Sequence, residues 1–174
     1  MAVYYPVTIA YFFIAFFVYA YYSGGMLAVK RFFKNIVSPA FTSLATQSSI
    51  ATLPVNLESA RKMGVPKDIR EIVLPMGATM HMDGSCLSAI LKISFLFGLY
   101  GKEFTGIGTF ATAILISVMS GVVMSGVPGG GLIGEMLIVN LYGFPPEAFP
   151  IIATIGFLVD PPATMVNACG DSVA

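Results

Sequence analysis

Two long stretches without any charged or histidine side chain constrain what this chain can fold into. Residues 1–29 and residues 104–134 contain no Asp, Glu, Lys, Arg or His. Each stretch exceeds the roughly 20 apolar residues that cross a bilayer as a helix. The whole chain has 10% charged residues and a mean hydropathy of +0.84, whereas a soluble domain carries roughly 25% charged residues. The sequence therefore predicts an all-α membrane protein.

The placement of the basic residues predicts how the chain crosses the membrane. Seven of the nine basic residues form two clusters, Lys30, Arg31 and Lys34 and then Arg61, Lys62, Lys67 and Arg70. The positive-inside rule assigns both clusters to the cytoplasm. Residues 35–60 must then enter and leave on the same side, and their middle carries the polar sequence TQSSIATLPVN. This pattern predicts a re-entrant hairpin with a polar tip, which has to line a cavity or be buried in protein.

The rest of the chain repeats this organisation in the opposite direction. We expect a span at 3–29, the hairpin at 35–60, a broken span at 66–100 interrupted by GATMHMDGS, a second hairpin at 104–143 around SGVPGGG, and a broken last span at 147–174. We also expect the chain to be truncated within that last span. Proline and clustered glycines end helices, and opposed units with discontinuous helices are typical of one class of secondary transporters.

Three aspartates fall within the predicted membrane segments. A charge at mid-bilayer costs at least ~2.5 kcal/mol, so Asp83, Asp160 and Asp171 should each have a functional partner. The alternatives are a buried ion pair for Asp83 and Asp171, and a helix N-cap ahead of two prolines for Asp160. For Lys92 and Glu135, mutual pairing is the preferred interpretation, and a lysine that stands in for a coupling ion is the alternative.

Four motifs in order resemble the dicarboxylate/amino acid:cation symporters, which include glutamate and neutral amino acid carriers. The motifs are SSIATLP at 48–54, HMDGS at 81–85, SGVPGGG at 125–131 and DPPATMVNACGD at 160–171. The resemblance covers residue 38 to the end. It implies a glutamate-transporter-like transport domain in the cell membrane that couples sodium influx to uptake of a small amino acid or carboxylate by elevator-like alternating access. It further implies a homotrimer when full length, and contact with membrane lipid.

The resemblance also implies which residues bind the substrate. The Ser49 hydroxyl and backbone N–H would hold the substrate carboxylate, Asp160 the amino group, and Asn167 the backbone carboxylate. The second hairpin tip would act as the gate. The implied substrate-binding set is Ser48, Ser49, Gly126, Val127, Gly129, Asp160, Ala163, Thr164 and Asn167.

Three cation sites are implied in the same way. Asp171 would bind one sodium ion with the carbonyls of Gly77, His81 and Asn167, the carbonyls of Thr79, Gly121 and Met124 would form a second site, and Asp83 would belong to a third. Carboxylates and carbonyls are the hard oxygen donors that suit such an ion.

The sequence departs from the family pattern at three positions. Members that carry acidic substrates have an arginine in the last helix or beside the serines of the first hairpin, and the matching residues here are Ala163 and Gln47. We therefore predict a preference for neutral amino acids. His81 stands where asparagine is usual, and it is interpreted either as a hydrogen-bond partner or as a group that adds proton coupling. Lys92, about nine residues and ~13 Å along a helix from Asp83, is expected to lie too far away to replace the missing arginine.

Other classes of function are weighed against the symporter. A substrate-gated channel would also have polar hairpins, and a fragment without its scaffold spans would not transport by itself. An intramembrane enzyme would need a signature around His81, Asp83 or Ser49, and no HExxH or GxSxG is present in the sequence. Because nine basic and nine acidic residues cancel, the charge predicts no nucleic-acid partner.

Overall fold

The computed structural model describes residues 1–124 and 130–173, and these residues form α-helices joined by short turns, without a β-strand among them. The helices are α1 Tyr4–Asn35, α2 Val37–Thr46, α3 Ser49–Met63, α4 Lys67–Met80, α5 Asp83–Leu99, α6 Ile107–Met124, α7 Gly130–Tyr142 and α8 Ala148–Gly170. Four helical segments are long and apolar enough to cross a membrane: Tyr4–Asn35, Lys67–Leu99, Ile107–Met124 and Ala148–Gly170. The predicted all-α membrane fold is confirmed.

Helix α1 is not a single straight rod. Gly24 and Gly25 have non-helical dihedrals, and Gly25 takes φ 65° and ψ −160°, a conformation that glycine alone adopts readily. After this break the chain turns back, because the Phe33 ring stacks on Phe13 with centroids 5.8 Å apart. A continuous helix would separate these two residues by ~30 Å. The helix is therefore interrupted at the glycine pair and the first basic cluster lies in the returning segment, while the membrane bounds of the span predicted at 3–29 stay a prediction.

Two pairs of packed helices occupy the positions of the predicted hairpins. Helices α2 and α3 pack against each other across a turn at Gln47, which has φ 52°. Helices α6 and α7 also pack together, on either side of residues 125–129. That both pairs enter and leave the membrane on one side stays a prediction. The interruption predicted within 66–100 lies at His81 and Met82, between α4 and α5.

Helix α8 corrects the expected break in the last span. It continues through Pro161 and Pro162 from Ala148–Gly170, so Asp160 lies inside the helix and not at its N-cap. Pro162 has no N–H to donate to the carbonyl four residues earlier, which belongs to Leu158. The Tyr5 hydroxyl donates to that carbonyl instead, at 2.9 Å. A hydrogen bond from α1 thus replaces one that the proline removes from α8.

This compensation gives a prediction for Tyr5. Tyr5→Phe should destabilise the protein by about 0.5–1.5 kcal/mol, because the Leu158 carbonyl loses its donor. In a Pro162→Ala background the new N–H can serve the carbonyl, so Tyr5→Phe should then have little effect. Thermal unfolding of the four proteins in detergent measures the coupling, and an equal effect in both backgrounds would contradict it.

The functional region lies where α5 and α8 approach each other most closely. A Cβ atom on Gly84 would lie 2.1 Å from the carbonyl oxygen of Ala163, so only glycine allows this backbone contact. In addition to this backbone contact, apolar side chains of α5, α6, α7 and α8 form one buried cluster that includes Ile93, Leu96 and Ile138. The start of α5 and the middle of α8 are thereby held at a fixed separation.

Candidate functional site

A cavity of about 550 Å³ lies between the tip of the first helix pair, α5, α7 and α8. Five of the predicted substrate-binding residues line it, namely Ser48, Ser49, Asp160, Thr164 and Asn167. Gly126, Val127 and Gly129 lie outside the described residues. Ala163 is only 1% exposed and is absent from the described cavity wall.

The first hairpin tip presents a helix N-terminus to this cavity. Ser48 is the N-cap of α3, and its hydroxyl oxygen accepts a hydrogen bond from the Ala51 N–H at 3.1 Å. Ser49 begins the helix and is half-buried at the cavity wall. The first N–H groups of a helix have no intrahelical partner and carry partial positive charge. This end of the cavity can therefore bind a carboxylate.

Asp160 supplies a carboxylate to the wall of the same cavity. Its carboxylate accepts a hydrogen bond from the Thr164 hydroxyl, one helical turn later, at 3.2 Å. The residue is half-buried and lines the same cavity as Ser49. A group that carries a positive charge, such as an ammonium, suits this position.

Asn167 holds α5 against α8 as well as lining the cavity. Its side-chain oxygen accepts from the backbone N–H groups of Gly84 and Ser85, at 2.8 and 3.4 Å. Its amide nitrogen donates to the Ser85 hydroxyl at 2.9 Å. These contacts satisfy N–H groups at the start of α5 that have no partner within that helix. Much of the polar capacity of Asn167 is therefore already used within the protein.

Three of the residues predicted to bind cations come together around His81. Its Nε2 lies 3.1 Å from Asp83 Oδ2, and its Nδ1 lies 2.9 Å from the Asn167 carbonyl oxygen and 3.4 Å from Asp171 Oδ1. The Tyr11 hydroxyl also donates to Asp83 Oδ2. The imidazole thus bridges two of the carboxylates, and Asp83 already has two partners.

The surroundings of Asp171 fit a sodium ion. Its side chain is fully buried, and neither carboxylate oxygen has a hydrogen bond in the described part of the chain. A Cβ atom on Gly77 would lie 2.6 Å from Asp171 Oδ1, and one on Gly170 would lie 1.8 Å from the His81 ring. Glycines at both positions leave room for the carboxylate and the imidazole. A buried carboxylate of this kind is stabilised by a cation, by the neighbouring imidazole or by protonation, and a sodium ion is the one that the family resemblance implies.

Within the residues that the structure describes, only part of the second implied cation site can be located. A Cβ on Gly121 would lie 3.4 Å from the Met82 Cβ atom, so α6 packs against the break between α4 and α5. Met124 lines the cavity. The Thr79 hydroxyl donates within α4 to the Met76 carbonyl at 2.8 Å. The shared role of these carbonyls stays a prediction.

The predicted pairing of Lys92 with Glu135 is confirmed, but its location differs from the expectation. Lys92 Nζ lies 2.8 Å from Glu135 Oε1, and both side chains are buried. Both residues line the same cavity as Ser49 and Asp160. Their position could have been read from the sequence, because Ser85, Ser88 and Lys92 follow at intervals of three and four residues, which share one helix face.

Helices long and apolar enough to span a bilayer surround this polar cavity, so the chain is part of a multi-pass membrane protein. The chain belongs to the Sodium:dicarboxylate symporter family, whose sequence profile matches residues 1–174. This is a family of transporters and not of enzymes.

Named relatives support the assignment. The chain is 33% identical to Neutral amino acid transporter A of Homo sapiens over 144 residues, 82% of this chain and 27% of the relative. It is 33% identical to Excitatory amino acid transporter 2 of Homo sapiens over 142 residues, covering 81% and 25%. It is 34% identical to Excitatory amino acid transporter 3 of Mus musculus over 143 residues, covering 82% and 27%. The chain thus spans about a quarter of the length of these relatives.

Proposed function

We propose that this chain forms the substrate- and cation-binding part of a sodium-coupled symporter for small neutral amino acids. The observation that carries the proposal is that one cavity has two wall segments of opposite polarity, the N-terminus of α3 at Ser49 and the carboxylate of Asp160. A zwitterion matches both segments, since its carboxylate faces the helix N-terminus and its ammonium faces the aspartate. Elevator-like movement and a homotrimeric carrier belong to the same proposal.

The charges of the cavity support selection against a second carboxylate. Lys92 is the one basic residue in the described cavity wall, and its ammonium is paired with Glu135. Gln47, at the position of the hairpin arginine, is neutral and lines the cavity. A dicarboxylate would therefore bury a charge without a free cation, which costs several kcal/mol.

Sodium coupling follows from the buried carboxylate beside the cavity. Asp171 is 2% exposed and approaches the same His81 ring that contacts the Asn167 carbonyl. Asn167 in turn lines the cavity. A cation at Asp171 would therefore stabilise the α8 segment and the α5 start that bind the substrate, and the substrate would in turn favour the cation.

The experiment that tests this proposal is equilibrium binding to the purified carrier, with alanine, serine, aspartate and succinate in sodium chloride and in choline chloride. Alanine or serine should bind at least tenfold more tightly in sodium and should outcompete aspartate and succinate. Equal binding in the two salts would overturn sodium coupling. Tight aspartate or succinate binding would overturn the selectivity.

His81 gives a separate prediction. We propose that its neutral ring donates one hydrogen bond, either to Asp83 or to the Asn167 carbonyl, and the alternative is that it adds proton coupling. His81→Asn restores the usual family residue and should leave the shape of the transport profile between about pH 5 and 8 unchanged. Uptake into proteoliposomes at constant sodium measures this. A profile that flattens in the variant would establish the proton-coupled alternative.

A further inference from the structure

The cavity contains a buried charged pair that the common part of an amino acid does not reach. Lys92 on α5 and Glu135 on α7 are each 3% exposed, and both line the cavity. Their Nζ–Oε1 distance is 2.8 Å. Replacing a buried ion pair by apolar residues is often neutral or stabilising, so stability alone does not explain two charges in this wall.

The pair keeps unused hydrogen-bonding capacity. Glu135 Oε2 is buried and has no hydrogen-bond partner in the described part of the chain. An ammonium has three N–H donors, and the described contacts of Lys92 use one of them, on Glu135 Oε1. A buried acceptor without a donor is costly. The pair can therefore donate to a ligand and accept from it at the same time.

The backbone around Glu135 is shaped to admit its carboxylate. A Cβ atom on Gly156 would lie 1.9 Å from Glu135 Oε1, so any other residue at position 156 would displace the carboxylate. Gly156 lies one helical turn before Asp160 on α8, and both residues line the cavity. The glycine thus places the charged pair beside the amino-group site.

The distance along α8 between Asp160 and Gly156 determines which substrate side chains can reach the Lys92–Glu135 pair. Asn167, Asp160 and Gly156 lie on the cavity side of one helix. Four residues of helix rise by about 6 Å, so the backbone at Gly156, which contacts Glu135, lies roughly that far along α8 from the backbone at Asp160. A substrate side chain of three or four bonds spans this distance, whereas the methyl group of alanine does not.

We propose that Lys92 and Glu135 form a subsite for the distal end of a longer substrate side chain, and that this subsite selects a neutral group that both accepts and donates hydrogen bonds. A carboxamide is such a group, since its oxygen accepts from Lys92 and its N–H donates to Glu135. A distal carboxylate would meet Glu135, and a distal ammonium would meet Lys92, so each charged analogue faces a like charge. This inference rests on the proposed function and refines its substrate class.

Competition binding in sodium with four amino acids tests the subsite. Glutamine, methionine and glutamate have side chains of similar reach but distal amide, thioether and carboxylate groups, and alanine is too short to reach the pair. Glutamine should bind at least tenfold more tightly than methionine and glutamate, because a site with polar partners rejects ligands that leave them unpaired. Equal binding of glutamine and methionine would overturn the proposal.

Variants separate recognition from a purely structural role. Lys92→Met with Glu135→Met should bring the ratio of glutamine to methionine affinity to about one. The matched control is Lys102→Met with Glu103→Met, two exposed charges outside the cavity wall, which should keep the ratio. Glu135→Gln removes the repulsion and should raise glutamate affinity at least tenfold relative to glutamine.

The outcomes distinguish this inference from the function on which it rests. A glutamine preference that survives in the double methionine variant would overturn the subsite. If that variant fails to fold, the comparison of the four amino acids in the unmodified protein still tests the subsite. Sodium-dependent alanine binding without any glutamine preference rejects the subsite alone, whereas the absence of sodium-dependent alanine binding rejects the proposed function.

Discussion

Replacing Asp171 by asparagine is expected to abolish the effect of sodium on substrate binding. The carboxylate is 2% exposed and neither of its oxygens has a hydrogen bond within the described residues. The sodium ion proposed here would be its principal counter-charge, with the His81 ring at 3.4 Å as the other neighbour. Asparagine has nearly the same shape but no charge, so the ion loses its only ionic ligand. We expect the ratio of alanine affinities in sodium and choline to fall from tenfold or more to about one.

The matched control is Asp68→Asn. Asp68 is an exposed carboxylate in the first turn of α4, the same helix that brings Gly77 against Asp171. This variant should keep the sodium effect. Isothermal titration of alanine to the unmodified protein and the two variants, in both salts, gives six affinities, and circular dichroism checks that each protein remains helical. A sodium ratio in Asp171→Asn equal to that of the unmodified protein would show that the coupling ion binds elsewhere.

The parts of the fold that sequence patterns predict are those with a strong local signal. HMDGS interrupts an apolar run, and the structure ends α4 at Met80 and begins α5 at Asp83. The turn of α1 back on itself at Gly24 and Gly25 has a weaker signal, because the uncharged run continues past the glycines to residue 29. Hydropathy indicates which residues can lie within a membrane, but it does not indicate where the chain reverses its direction.

The course of α8 could not be predicted from its own sequence. Two consecutive prolines favour a break or a helix start, yet the helix continues, and Tyr5, more than 150 positions away, donates to the Leu158 carbonyl that Pro162 leaves without its helical donor. A tertiary hydrogen bond here compensates for part of what the local sequence costs. Such compensation is visible only once α1 is placed beside α8.

The sequence indicates residue types at the candidate site but not their orientation. Ser49 and Asp160 line one cavity, whereas Ala163 is buried and is not among the described lining residues, and the binding roles of all three stay predictions. A motif gives the spacing of residues along a helix, but the face that points to the cavity depends on how α5 and α8 pack at Gly84. The same packing brings Lys92 into the cavity wall, although its separation along the chain from Asp83 suggested that it would be remote.

Gln47→Arg is expected to convert the preference of the site from neutral to acidic amino acids. Gln47 is exposed at the hairpin turn and lines the cavity, so a guanidinium there has room to meet a substrate carboxylate. A close charge pair is worth about 1.5 kcal/mol or more, which corresponds to at least about tenfold in affinity.

Arginine at position 163, by contrast, is expected to disrupt the fold rather than to change the substrate preference. Ala163 is 1% exposed, and its carbonyl would lie 2.1 Å from a Cβ on Gly84, so Ala163→Arg would force the two helices apart and should reduce the yield of folded protein.

The neutral control for Gln47→Arg is Gln47→Met, which should keep the preference for alanine. Competition of aspartate against alanine in sodium gives the ratio for each variant. If Gln47→Arg leaves that ratio unchanged, the short side chain of aspartate does not reach the first hairpin, and Gln47 does not set the preference for neutral substrates.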